Sequence, residues 1–497
     1  MTTTTLDFDP ASVTVPSGHF IGGKLVTDGE DGIEVLRPCD GKVMGYVPNG
    51  SADTVDRAVQ NARDAFRSSN WATQTPRERA RVLRRWADLI LQDAPELARL
   101  EAMGSTRPVT QAQHGDVPFT AEAIQFFAEF ADKVCGDVVP TRPGALGMVV
   151  PEPYGVVGAI APWNFPLSMA SWKCGPSLAA GNAVVLKPSE LTPFSTLRLA
   201  QLAIDAGVPP GIFNVVQGYG SIAGSALVRH PDIGKMSFTG SSATGAIVMS
   251  EAAFSGPKPV TLELGGKSPQ LVFDDAGDVE TVAGRIARGF MSNGGQACVS
   301  GSRLIVQRGI ADALIDAVLR HTKAVTIGTM WQASTNYSPI INEKQARRID
   351  HLLRESVDQG AEIITGGRCF DDSPGGFFYQ PTLVTNVTPD TTAVREEVFG
   401  PVLTVQVFDD EAEGIALAGH PIYGLAAGVH TMNLGRAMRA MRGLAAGTVW
   451  INRYGRTSDF IVPTGGFKGS GLGKDLGRQA VEANLRYKSV LMDFDEA

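Results

Sequence analysis

The stretch VVGAIAPWNFPLSMASWKCGPSLAAGNAVVLKPSE, residues 156–190, decides the fold. It opens on a short apolar run, VVGAI, and breaks at a Pro- and Asn-containing turn. A helical length then leads to a second β-branched run, AVVLK (183–187), and another turn, PSE. Strand, helix and strand in that order imply parallel neighbours joined by a crossover helix. The pattern continues through FNVVQ (213–217), KMSF (235–238) and VTLEL (260–264), followed by the turns GYGSIAG, TGSSATG and GGKS. A doubly wound sheet binds ligands at the carboxyl ends of its strands, so these turns are expected to form one extended site.

Outward from this block, residues 269–463 offer further strands, QLVF, RLIVQ, LTVQVF, AAGVH and TVWIN, among helices, and read as a second α/β domain. The first 130 or so residues read mainly as helices. SADTVDRAVQNARDAF (51–66) spaces its apolar residues three and four apart, and TPRE (75–78) carries an N-cap, a first-turn proline and a capping-box glutamate. Two pieces remain, 136–155, which reads as a hairpin, and 488–494, a short strand; an isolated hairpin is marginal, so they are expected to pair with each other or with another subunit.

Composition narrows the function classes. The 497 residues carry a net charge of -8 and dispersed cations, which gives no reason to bind nucleic acid or an anionic membrane. The stretch MTTTTLDFDP lacks the basic and apolar regions of a secretory signal and no apolar run approaches the length of a membrane span, so neither export nor a span is expected. Five cysteines, Cys39, Cys135, Cys174, Cys298 and Cys369, are odd in number and lack CxxC spacing, so neither a disulfide framework nor structural zinc is expected. A reducing, cytoplasmic setting fits. Seven scattered histidines give no HExxH, and no catalytic metal is expected.

Most lone cysteines are small buried hydrophobes. Cys298, in NGGQACVSG, differs in its small-residue surroundings, which let a substrate approach and can aim amide N–H groups at an anion. Asn164, in PWNFP, is either a turn former or an oxyanion donor. Glu263 ends an apolar strand, where a carboxylate needs a structural partner or serves as a tuned general base. GYGSIAG is one residue longer than the dinucleotide GxGxxG and is weak alone. FTGSSATG can receive a phosphate at a helix start. Lys187 and Glu190 are either a surface pair or a grip on a ribose.

With these residues in view, the chain resembles the aldehyde dehydrogenase superfamily over nearly its whole length. The motifs fall in family order: PWNFPLSMASWKCGPSLAAGN, VVLKPSE, FTGSSATG, VTLELGGKSP, GGQACVSGSR, EEVFGPV and PTGGFKGSGLGKDLG. The resemblance implies an α/β fold of two doubly wound, mostly parallel-sheet domains plus a small β oligomerisation element. Its boundaries are 1–132 with 156–264 for a Rossmann-like NAD-binding domain, 265–470 for the catalytic domain, and 133–155 with 480–497 for oligomerisation.

It further implies that Cys298 is the nucleophile, Asn164 the oxyanion donor and Glu263 the base that hydrolyses a thioester to the acid. The NAD contacts carried over are Ile160, Trp163, Lys187, Glu190, Gly220, Gly240, Ser241, Leu264, Glu397 and Phe399. Glu190 favours NAD over NADP by repelling a 2′-phosphate, whereas Lys187 works the other way. The substrate tunnel would draw on Phe165, Met169, Trp172, Ala297, Val299 and the loop NRYGRTSDFIVPT (452–464). Within that loop Asp459 would favour a cationic aldehyde and Arg453 or Arg456 an acidic one, against the reading that all three are solvated.

The implied partners are an aldehyde substrate and other copies of the chain, as a tetramer (dimer of dimers) or a dimer. Transfer of the thioester to coenzyme A is the competing activity, and relatives that do so generally lack the carboxylate at Glu263. A binding-only pseudoenzyme would have lost Cys298, Asn164 or Glu263, and a cofactor-free cysteine hydrolase would need a histidine near the motifs.

Overall fold

The computed structural model describes residues 6–27 and 32–494. Its centre is an eight-stranded sheet in the order Lys24–Val26, His19–Ile21, Phe213–Val215, Ala183–Lys187, Val156–Ile160, Lys235–Thr239, Val260–Glu263, Gly471–Leu472. The inner five strands are parallel and the additions at both edges antiparallel. Strands buried on both faces need no polar alternation, which is why VVGAI and AVVLK read as continuous apolar runs. The helix Pro166–Ala179 is buried along its entire length, Cys174 included, and burial pushes that thiol's pKa up.

A second sheet has seven strands, in the order Glu362–Thr365, Thr382–Thr385, Val402–Phe408, Arg303–Gln307, Pro269–Val272, Ala426–His430, Thr448–Ile451. All of its pairings are parallel except the first. The strands at 362–365 and 382–385 are not legible in the sequence: each is four residues long and set among charged and Thr-rich neighbours.

The amino-terminal segment departs from the mainly helical expectation. Four strands, His19–Ile21, Lys24–Val26, Gly32–Leu36 and Val43–Pro48, precede the first long helix, Ala52–Ser68. The first pair turns through Gly22 and Gly23, both at positive φ (63° and 80°), as a two-residue hairpin of matching twist requires. The strand His19–Ile21 docks onto the sheet edge, Phe20 opposite Val215. The helix Pro76–Gln92 begins with the expected capping box: the Glu78 carboxylate accepts from the Thr75 N–H at 2.8 Å and the Thr75 hydroxyl from the Glu78 N–H at 3.4 Å.

The two leftover pieces pair with each other. Asp137–Val139 and Ala145–Pro153 form the hairpin, and Leu485–Asp493 adds antiparallel to it, with Leu485 opposite Pro153 and Asp493 opposite Ala145. Among the described residues no helix is long and apolar enough to cross a membrane.

Candidate active site

Cys298 is aimed by the turn before it. The helix Val279–Met291 ends where the Ser292 N–H donates to the Arg288 carbonyl, and three left-handed residues follow: Asn293 (φ 55°), Gly294 (φ 61°) and Gly295 (φ 73°). Asparagine tolerates that region and glycine is at home in it. At Gly295 space is decisive too, because a Cβ would lie 2.1 Å from the Gly400 carbonyl oxygen.

Side chains then lock the turn. The buried Gln296 amide donates to the carbonyls of Asn293 and Pro339, both at 2.9 Å, and accepts from the Ile341 N–H at 2.9 Å. The Asn293 amide donates to the Asn164 carbonyl at 2.9 Å, while the Thr106 hydroxyl donates to Asn293 Oδ1 at 2.6 Å. Asn164 Nδ2 donates to the Gln296 carbonyl at 3.0 Å, so Asn164 and the Cys298 loop are tied directly. One N–H of the Asn164 amide is thus used, and the other has no protein acceptor among the described residues. Gln296 and Asn293 have no role legible in the sequence; an amide between two glycines and the candidate nucleophile is the signal available.

The thiol lies partly accessible in a cavity of about 980 Å³. Ala297 and Val299 flank it, Phe165, Met169 and Trp172 come from the Pro166 helix and the turn before it, and Trp163 and Asn164 from the end of the first parallel strand. Gly240, Ser241, Leu264, Glu397 and Phe399 line the same cavity from the sheet edge. Burial pushes the Cys298 thiol up to about 11, an effect that the positive charge of Arg456 opposes and the carboxylates of Glu397 and Glu263 reinforce.

Glu263 is paired in register with Thr239 at the strand ends, and its side chain is 7% exposed. It does not line the cavity. Its carboxylate lies beside Gly465 and accepts from the Asp475 N–H at 3.4 Å. Burial, reinforced by the neighbouring Asp475, pushes it up to about 8.

At the sheet edge, Ile160 stands opposite Lys187, whose ammonium donates to the Pro188 carbonyl at 2.8 Å and to Glu190 at 3.2 Å. Burial draws the Lys187 pKa down, against the pull of Glu190. The turn Gly220–Gly224 covers this pair: a Cβ on Gly224 would touch Ile160 and Lys187, each at 3.7 Å. The strict need for glycine falls at Gly218, with φ 136° and a Cβ only 2.9 Å from Ala223, whereas a Cβ on Gly220 would meet nothing. Ser241 caps the helix Ser242–Phe254, accepting from the Thr244 N–H at 3.2 Å. The four residues Ile160, Lys187, Glu190 and Gly220 lie at this edge and outside the lining of the main cavity.

Glu397 accepts from the Gly266 N–H at 2.9 Å, and burial pushes it up to about 7. Gly265 is shaped to it, since a Cβ there would come within 2.4 Å of the carboxylate. The Phe399 ring meets Trp163 edge to face at 5.3 Å. The helix Glu343–Asp358 holds this segment through Gln345, which donates to the Val398 and Phe399 carbonyls (3.1 and 2.9 Å), and Arg348, which donates to the Glu397 and Val398 carbonyls (2.8 and 3.0 Å). Neither stands out in the sequence, where they are ordinary polar positions of an amphipathic helix.

One tunnel residue falls elsewhere. Asp459 is exposed, ion-paired with Arg453 at 3.5 Å and bonded by the Thr457 hydroxyl, and does not line the cavity. Opposite charges six residues apart satisfy each other in solvent, at less cost than burying either. Arg456 does line the cavity, as do Phe119 and Tyr454, whose hydroxyl donates to the Val299 carbonyl at 2.8 Å.

The profile of the aldehyde dehydrogenase family matches residues 25–490. The chain belongs to the aldehyde dehydrogenase family. Within the family, an aldehyde dehydrogenase of Emericella nidulans is 41% identical over 489 residues, 98% of this chain and 97% of its own. The indole-3-acetaldehyde dehydrogenase of P. syringae, solved with NAD+ and IAA, superposes with a TM-score of 0.95 at 38% identity, covering 97% of this chain and 98% of that one. The gamma-glutamyl-gamma-aminobutyraldehyde dehydrogenase of Burkholderia cenocepacia superposes equally well, with a TM-score of 0.95, 41% identity and 98% coverage of both chains.

Proposed function

We propose that this family member oxidises an aldehyde to its carboxylic acid with NAD+, through a thioester on Cys298. The observation that carries the reading is a cysteine fixed on a locked left-handed turn, tied to Asn164, in a cavity that runs to the carboxyl edge of a parallel sheet.

The sheet edge suits a dinucleotide. The buried Thr239 hydroxyl lines the cavity with no partner among the described residues, Gly265 leaves no room for a side chain against Glu397, and a Ser-capped helix start faces the same space. A helix start of this kind favours phosphate. Glu190, paired to Lys187, presents the carboxylate that prefers a ribose hydroxyl to a 2′-phosphate. When bound, NAD+ supplies the hydride acceptor.

Cys298, deprotonated, attacks the aldehyde carbon; the C–S bond forms and the carbonyl electron pair moves to oxygen. The unspent Asn164 N–H and the Cys298 backbone N–H are the donors for that oxyanion. Hydride loss leaves the thioester. Glu263, released from its long contact with the Asp475 N–H, takes a proton from water, whose oxygen displaces the thiolate and yields the acid.

The buried carboxyl at Glu263 favours hydrolysis over transfer to coenzyme A. The test is absorbance at 340 nm with aldehyde and NAD+, with product analysis with and without coenzyme A. Equimolar NADH and free acid are expected; no NADH refutes the activity, and a strict need for coenzyme A refutes the hydrolytic step. We further propose a cytoplasmic homo-oligomer, a tetramer or dimer, assembled through the three-stranded sheet, with residues 1–132 and 156–264, 265–470, and the pair 133–155 and 480–497 as the three functional units.

A further inference from the structure

The loop 452–464 carries three charged residues with two fates. Arg453 and Asp459 pair with each other at the surface. Arg456 turns inward to line the cavity of Cys298, its guanidinium 5.1 Å over the Trp172 ring and donating to the Thr464 hydroxyl. Among the described residues no carboxylate forms an ion pair with it.

The other charges around the cavity do not neutralise it. Asp116 belongs to Arg107, at 2.7 and 3.3 Å, and Glu397 is held at the sheet edge by the Gly266 N–H. Glu263 feels the charge of Arg456 but lies outside the lining and forms no ion pair with it among the described residues. Arg288 adds a second cation to the lining, also without an ion pair among the described residues. The Trp172 indole N–H beside Arg456 is buried and has no acceptor among the described residues. A partly desolvated guanidinium with no counter-ion is costly, and its planar fork matches a carboxylate.

We propose that Arg456 receives the anionic end of the substrate, so that the enzyme prefers an aldehyde bearing a carboxylate, a semialdehyde, over neutral or cationic aldehydes of the same length. The inference rests on the aldehyde dehydrogenase reading above. The carboxylate takes no part in bond making: the aldehyde carbon gives its hydride to NAD+ and gains the oxygen of water, so the product is a dicarboxylate. Arg456 is also the charge that most lowers the Cys298 thiol against its burial, so the group that would bind the substrate also acts on the nucleophile.

The experiment compares succinic semialdehyde, butanal and a trimethylammonio-butanal by kcat/KM with NAD+, in the wild-type protein, Arg456→Gln and Arg456→Lys. A charge-assisted hydrogen bond is expected to favour the semialdehyde over butanal by roughly 10- to 100-fold. Arg456→Gln should bring that ratio near one, chiefly by raising KM for the semialdehyde, and Arg456→Lys should restore part of it. Wild-type protein that uses butanal or the cationic aldehyde as well as the semialdehyde overturns the inference while leaving the dehydrogenase reading intact. So does an Arg456→Gln ratio equal to wild type. Failure of all three aldehydes overturns the dehydrogenase reading itself. Should Arg456→Gln not fold, the wild-type ratio and Arg456→Lys still decide.

Discussion

Cys298 and Glu263 start from ordinary ionisation and are moved by enclosure. Burial pushes the Cys298 thiol up to about 11, further into the protonated form that a free thiol already favours at neutral pH. Replacing it with alanine removes the atom placed to bond the substrate carbon and leaves the sheet edge untouched. Cys298→Ala is therefore expected to reduce NADH formation to background while NAD+ binding, followed by calorimetry, stays unchanged. Enclosure, reinforced by Asp475, likewise raises Glu263 to about 8, so the fraction in the base form grows as pH rises past neutrality. Turnover limited by thioester hydrolysis should then rise with pH and level off above about 8, and Glu263→Gln should flatten that profile. The same variant should keep a normal first burst of NADH and lose roughly 10²- to 10⁴-fold in steady turnover. Rapid-mixing absorbance separates the two phases, and a missing burst would mean that Glu263 acts before the thioester forms.

The turn SNGG is the element on which the site depends, and it shows where sequence reading runs short. Cysteine among small residues is legible as a candidate nucleophile because its neighbours are unusual. The role of Gln296 is not, because an amide declares its function only when a donated and an accepted bond find partners across 43 and 45 residues of chain. Asp459 and Arg456 look equivalent for the converse reason: loop charges three residues apart in sequence go to opposite sides of the wall, and only packing decides which. Gly295 gives the element its sharpest test. A methyl group there overlaps the Gly400 carbonyl and leaves a non-glycine residue at φ 73°, two penalties each of about 1–3 kcal/mol. Gly295→Ala is expected to lower Tm by several degrees and to slow the NADH burst, because the strain falls on the residues that aim the thiol. Gly220→Ala, which fills open space, should shift Tm far less. Differential scanning fluorimetry of the pair checks both.

Across the whole molecule, the five inner strands of the larger sheet are readable because burial on both faces writes them as apolar runs between glycine- and proline-rich turns. The amino-terminal strands and the edge of the second sheet are not, being short pieces whose pairing is set by distant partners rather than by local pattern. The hairpin and terminal strand read as pieces left over from both sheets, and their meeting in a separate three-stranded sheet bears on assembly. Leu485–Asp493 lies at the edge of that sheet, nine residues long, with one row of backbone groups that no strand pairs among the described residues. Such an edge is a template for another chain unless charge, proline or a bulge blunts it. The strand's cations, Arg486 and Lys488, are paired with Glu152 of the neighbouring strand, and apolar side chains stand exposed among them: Leu491 is 79% exposed, and Met492, Tyr487 and Phe494 are exposed as well. A monomer rarely leaves so much apolar surface in one place. The protein should therefore run as a multiple of its chain mass in light scattering coupled to size exclusion, and Leu491→Asp combined with Phe494→Asp should yield the monomer. Because the sheet lies apart from Cys298, first-burst NADH should survive the double substitution even as the assembly is lost; a wild-type protein that is monomeric at micromolar concentration would refute the interface.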